Sequence, residues 1–197
     1  MSLPEDLPST VAYPGTYLYP DTLVSTPLID YEMGGTALND GGAGLNVKAW
    51  ACWADGAGDV YIRPLGSSDT PTLLFSAPGI QELSFAFDRN MQVSVAYTVA
   101  GIVYLRWYDS TIPAHVTTEF AGARNPKLTH DDKRVVASSR SDVIFAYLTG
   151  TALRYRQQRD RYTIEYSLKE DVRPNLRLKL IGMNNALRLQ AEFERVP

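Results

Sequence analysis

Gln92-Val93-Ser94-Val95-Ala96-Tyr97, then Thr98-Val99-Ala100-Gly101, then Ile102-Val103-Tyr104-Leu105-Arg106-Trp107 is the stretch that sets the fold class. Two runs rich in β-branched and aromatic residues flank Ala100-Gly101, which reads as a hairpin turn. The same grammar extends in both directions. Upstream lie Val47 to Trp53, Asp59 to Arg63 and Leu83 to Phe87; downstream lie Val143 to Tyr147, Ala152 to Arg156 and Tyr162 to Tyr166. Turn residues separate them at Asp55-Gly56, Gly66 to Asp69, Asp88 to Asn90, Thr149-Gly150 and Asn184-Asn185. No stretch keeps an i, i+3, i+4 apolar pattern through three turns, so an all-β chain without substantial helix is expected.

The runs repeat with a period of about 45 residues, the length of a four-stranded propeller blade. Ala49-Trp50, Ala96-Tyr97 and Ala146-Tyr147 each end an apolar strand, and each is followed by a strand carrying arginine. Leading strands, Leu83 to Asp88 and Lys127 to Asp132, precede the second and third copies. A shortened fourth copy, Asn185 to Leu189, mirrors Thr151 to Tyr155, and the repeated arginines are Arg63, Arg106, Arg154 and Arg188. A four-stranded antiparallel sheet cannot cover both of its faces alone, so such units are expected to stack. Three copies and a part fall short of a closed ring; an open fan, a sandwich or a ring completed between subunits remain as alternatives. The arginines are expected to brace the adjacent unit, by bonding its backbone carbonyls or a carboxylate, and not to bind a polyanion.

Residues 1–44 read differently. Prolines at 4, 8, 14, 20 and 27 forbid a regular helix and most ladder pairing, and a glycine-rich run, Gly34 to Gly44, follows them. Tyr13, Tyr17, Tyr19, Leu23 and Tyr31 give this strip an apolar load, which suits packing on another surface. The expected organisation is therefore an extended arm over 1–44 and an all-β repeat domain over 45–197. Together they make 197 residues, 45% of them hydrophobic, enough for one cored domain with an arm. No apolar run approaches the roughly 20 residues of a membrane span, and the start, Met1 to Asp6, lacks the pattern of a secretory leader. A net charge of -3 gives no general attraction to nucleic acid or anionic lipid.

Groups that could carry chemistry are few. His130-Asp131-Asp132-Lys133 reads as a solvated turn, and His115 has no carboxylate near it in sequence. The single cysteine, Cys52, lies in an apolar strand as a buried thiol would. Asp55 to Asp59 is short for a calcium loop and fits a hairpin turn. Arg154 to Tyr162 is the one basic patch; alternation puts Arg154 and Arg156 on one face, where Glu165, Glu170 or Asp171 can pair them. Trp50 and Trp53, three apart, face opposite ways on a strand, which requires both sheet faces to be covered if both are buried. Trp107-Tyr108-Asp109 is a triplet of the kind presented to sugars, and Trp107 and Tyr108 join the arm residues as interface candidates. No catalytic, cofactor or metal residues are expected.

The segments Val103 to Asp109, Arg124 to Arg134, Asp142 to Tyr147 and Leu153 to Glu165 resemble a family of tailed-bacteriophage virion structural proteins. These segments fall within Val103 to Glu165, a span of about a third of the chain. The resemblance implies a non-enzymatic component of the tail, tail tip or fibre attachment, made in the host cytoplasm and carried in the virion. It further implies a homo-oligomer partnered by other virion structural proteins, with no cofactor, membrane or nucleic acid. The alternative is a β-module that binds a host-surface carbohydrate or receptor.

Overall fold

The computed structural model describes residues 16–17, 31–38, 47–64, 70–88, 90, 92–131, 142–183 and 188–196. These residues form an all-β protein of four antiparallel sheets, with one 3-10 turn at Gln158–Asp160. The first sheet runs β1 (Thr16–Tyr17), β2 (Tyr31–Leu38), β3 (Val47–Ala54), β4 (Asp59–Pro64) and β5 (Thr72–Ser76) in spatial order. The second holds β6 (Ile80–Phe87), β7 (Val93–Val99), β8 (Ile102–Asp109) and β9 (Ala114–Phe120). The third holds β10 (Ala123–His130), β11 (Val143–Thr149), β12 (Ala152–Gln157) and β13 (Tyr166–Lys169). The fourth is a half unit of β14 (Leu176–Met183) and β15 (Leu189–Arg195).

Each sheet is an up-and-down meander; β2, the second strand of the first sheet, meets β6, and the leading strands of the later sheets meet in series, β6 with β10 and β10 with β14. Side-chain alternation then fills the space between successive sheets. Cys52, Ala54, Val60 and Ile62 meet Leu83, Phe85, Val95 and Tyr97 in the first core. Val103, Leu105, Trp107 and Phe120 meet Leu128, Val143, Phe145 and Tyr147 in the second. Ala146, Leu148 and Leu153 meet Leu178 and Ile181 in the third. The expected blade-like stack is present, as three units and a half.

Polar ties hold the leading strands side by side. Ser84 Oγ accepts a 2.8 Å bond from the Leu128 amide, giving a buried N–H at the free edge of β10 its partner. Asn125 Nδ2 donates to Glu82 Oε1 at 2.7 Å, and an Arg124 guanidinium nitrogen donates to the Leu176 carbonyl at 3.0 Å. The turn of the first sheet is held from within by Asp55, whose Oδ1 accepts from Ala57 N and Asp59 N, each at 2.9 Å. Gly58, at φ +86°, lets this turn dock on the next connection; a Cβ there would sit 2.5 Å from the Ala77 carbonyl oxygen. Gly58→Ala is therefore expected to cost upwards of about 1–3 kcal/mol for the backbone conformation, before the clash is counted. Chemical denaturation of the variant measures it.

Several sequence expectations are corrected in register. Ala96-Tyr97 and Ala146-Tyr147 are equivalent: each lies three positions before a two-residue turn, and both tyrosines are buried toward the preceding sheet. Trp50 is not their counterpart, because it packs forward against Phe87 of the second sheet, centroids 5.2 Å apart. Trp53 points the other way, fully buried and stacked on Tyr61, so both faces of β3 are covered. The expected strand over Tyr162 to Tyr166 starts only at Tyr166, because Arg161 and Tyr162 both adopt positive φ (51° and 57°) after the 3-10 turn. Arg188-Leu189 opens the second strand of the fourth unit, so it does not mirror the third strand β12; Asn185 to Leu187 lie outside the described residues. The arm expected to end at residue 44 instead gives Tyr31–Leu38 to the first sheet, as β2.

Candidate functional site at the loop-rich end of the sheets

Connections 110–113 and 158–165, with the strand ends at Phe87 and Val93 and at His130 and Val143, lie at one end of the sheets, and the two-residue turns 100–101, 121–122 and 150–151 at the other. The loop-rich end collects most of the polar side chains that sequence reading could have offered for chemistry. Asp88 Oδ1 caps its own turn by accepting from Asn90 N at 2.8 Å and Gln92 N at 2.9 Å. Its second oxygen accepts from Gln158 Nε2 of the third sheet at 3.1 Å. Asp142 Oδ2 takes both the Arg159 amide (3.0 Å) and Arg159 Nε (2.8 Å), while the far end of that guanidinium meets Asp131. The bond to Asp142 holds the Arg159 guanidinium above its ordinary range. Asp109, its side chain 3% exposed, accepts from the Thr111 amide and hydroxyl and from Arg161 of the next sheet.

These contacts are structural ties. Each carboxylate is already held by backbone amides or an arginine, and among the described residues no group of three His, Cys, Asp or Glu could hold a metal ion. His130 bonds the Phe87 carbonyl through Nε2, tying β10 to β6, and Asp131 accepts from the Asp142 amide at 2.7 Å. Asp132 and Lys133 lie outside the described residues. His115 sits edge-on against Tyr108 at 5.4 Å, partly buried beneath the rim.

Two of these groups set an acid limb of stability. Burial, reinforced by Arg106, pushes the His115 imidazole below its ordinary 6.5, so protonation favours the unfolded chain. Stability is then lost as pH falls from that ordinary value through the folded one. The Thr111 hydroxyl, with the Thr111 amide and Arg161, holds Asp109 below 3.8, and its contribution disappears as pH falls through that lower value. Thermal melts across pH are expected to decline in these two windows, with His115→Gln removing the upper one and Asp109→Asn the lower.

The interface candidates separate. Tyr108 is half-buried at the rim. Trp107 is 5% exposed and packs edge-to-face on Tyr162 at 5.2 Å, which makes it a core residue and corrects its assignment to an exposed surface. Tyr17 and Tyr31 lie opposite one another in the β1–β2 pairing; Tyr13, Tyr19 and Leu23 lie outside the described residues.

The arginine repeat also shifts. Arg154 answers to Tyr104 in the hairpin register, and pairs within its own unit with Glu170 at 2.7 Å. The equivalent residues are Arg106 and Arg156, each on the third strand of its sheet. Arg106 lies over Phe75 (5.3 Å) and Arg156 over Phe120 (5.2 Å), in both cases a phenylalanine on the outermost strand of the preceding sheet. Arg156 also donates to the Tyr162 and Thr163 carbonyls, at 2.9 and 3.0 Å, and ion-pairs with Glu165 at 3.2 Å. Sequence reading missed this pairing because phenylalanine and arginine lie far apart along the chain. Arg106→Ala is expected to cost about 0.5–1 kcal/mol. That is a drop of a few degrees at about 2–4 °C per kcal/mol for a chain of this size. Retention on heparin resin should stay unchanged, and a loss of retention without a melting shift would make these arginines a polyanion site.

No family model matches the chain, and neither curated proteins nor solved structures supply a match.

Proposed function

We propose that this protein is a non-catalytic structural component of a tailed-phage virion, in the tail or fibre-attachment region, which assembles through its sheet surfaces and N-terminal segment. The observation that carries the assembly part is the two-stranded fourth sheet. A sheet of two strands follows sheets of four, and among the described residues β15 pairs only with β14. An exposed strand edge is a template for another chain. The phage part draws on the likeness of the segments between Val103 and Glu165 to virion proteins. The polar groups of the loop-rich end, spent on ties between sheets, favour a scaffold over an enzyme. Mass spectrometry and antibody labelling of purified tailed particles from the source test the reading: the chain is expected at the tail in a fixed copy number. Its absence from washed particles would overturn it.

A second reading, a module that binds a host-surface glycan, is favoured by connections 110–113 and 158–165 lying with Tyr108 at one end. Glycan-array binding by a chain that does not join particles would select it.

A further inference from the structure

The edge of β15 borders an apolar recess. The third sheet has four strands and the fourth only two; Tyr155 of β12 and Tyr166 of β13 stack at 5.1 Å, and Tyr155 and Leu168 pack against the third core. Near the foot of this step is a cavity of about 310 Å³ lined by Val172, Leu176 and Phe193 and rimmed by Lys169, Arg173 and Arg195, with Asp171 the one carboxylate. The opposite face of the half unit is closed to an apolar partner by its own ion pairs, Arg177–Glu194 at 2.5 Å and Lys179–Glu192 at 2.8 Å. What fits the open edge is therefore an extended strand, apolar on one side and acidic in its flank.

The chain carries a sequence of that kind. No lysine or arginine precedes Lys48, whereas Glu5, Asp6, Asp21, Asp30, Glu32 and Asp40 all do. Between Pro8 and Pro14 runs Ser9-Thr10-Val11-Ala12-Tyr13, free of proline and rich in strand formers, with Val11 and Tyr13 on one side by alternation. The donor is assigned to another copy. Thr16, where β1 begins, is hydrogen-bonded beside β2, and the three residues from Tyr13 to Thr16 reach at most about 10–11 Å. A strand added beyond β15 would lie two strand spacings, about 10 Å, beyond β14 in the fourth sheet, whereas Thr16 is held in the first.

We propose that residues 9–13 of a second copy add to the free edge of β15 as a third strand, with Val11 and Tyr13 over the apolar recess and Glu5 and Asp6 near its basic rim. Such a contact is heterologous, donor of one copy to acceptor of the next, and builds chains or rings. The inference rests on the reading of the protein as an assembling module and names the contact that reading leaves open.

The test uses full-length protein. Light scattering across concentration is combined with amide hydrogen exchange. Protection at 189–195 and at 9–13 is expected to rise together with mass. Val11→Pro, in the donor, and Arg195→Glu, in the acceptor rim, are each expected to weaken self-association at least tenfold with no change in the melting of the sheets. Mixed together, they should form dimers and nothing larger, since one chain retains only a donor and the other only an acceptor. Self-association that persists in Val11→Pro, with β15 exchanging freely, overturns this contact and leaves the assembly reading standing. Protection of both segments in a monomer at every dilution overturns it in favour of closure within one chain. A monomer with neither segment protected overturns both.

Discussion

Trp107→Ala is expected to destabilise the protein by about 3–5 kcal/mol, the usual cost of truncating a large aromatic in a packed core. The indole lies in the space between the second and third sheets, 5% exposed, flanked by Leu105, Val143 and Phe145 and packed edge-to-face on Tyr162. Neighbours fixed in strands cannot close around the void. Against a total stability of about 5–15 kcal/mol, a loss of this size leaves little folded population at elevated temperature. If Trp107 instead served a surface, truncation would change binding and leave the denaturation midpoint within about 0.5 kcal/mol of the parent. Urea titration followed by the fluorescence of Trp50 and Trp53 decides between these outcomes.

Tyr147→Asp is the second large effect, and it should exceed Tyr97→Asp. Both phenols occupy the same position in their sheets, 3% and 8% exposed, and a carboxylate placed there without partners costs several kcal/mol. Each site has an arginine near it, Arg156 and Arg106. Tyr147 alone also donates to a carboxylate, Glu165, and burial together with that bond pushes its phenol up to about 12. An aspartate at 147 therefore meets like charge, whereas one at 97 does not. Tyr147→Phe should lose only the bonds to Glu165 and Arg156, about 1–3 kcal/mol. Melting curves that rank Tyr97→Asp below Tyr147→Asp in stability would overturn the like-charge argument at 147.

The parts of this fold that were legible in the sequence are those written in local alternation. The hairpin of Val93–Val99 and Ile102–Asp109 declares itself through β-branched residues around a two-residue turn, and the third sheet repeats it. Register was legible only where turn lengths agree. The first sheet turns through Gly56-Ala57-Gly58, so its alternation is offset, and Ala49-Trp50 looked equivalent to residues that face the other way. Leu176–Met183 escaped notice because Arg177 and Lys179 alternate with its leucines, a pattern that makes sense only opposite Glu194 and Glu192. The ties at the loop-rich end were not legible at all. Arg161 reaches Asp109 and Gln158 reaches Asp88 across intervals set by two whole sheets, and no local motif encodes such a distance.

Every buried core in the described residues lies between one sheet and the next. Cooperativity in such an array is transmitted only between neighbours, so the molecule should come apart in order. The half unit, with one neighbour and two strands, holds the least and yields first under load or denaturant. Its loss uncovers Leu148 and Leu153 of the third sheet, while Cys52, Val60 and Phe85 stay sealed between the first two. Hydrogen exchange under mild denaturant would then read as a staircase along the chain, with slow amides early in the sequence and fast ones at its end. For a protein pulled at its two termini, extension would begin at the C-terminal sheet and stop, at low force, before the first core opens.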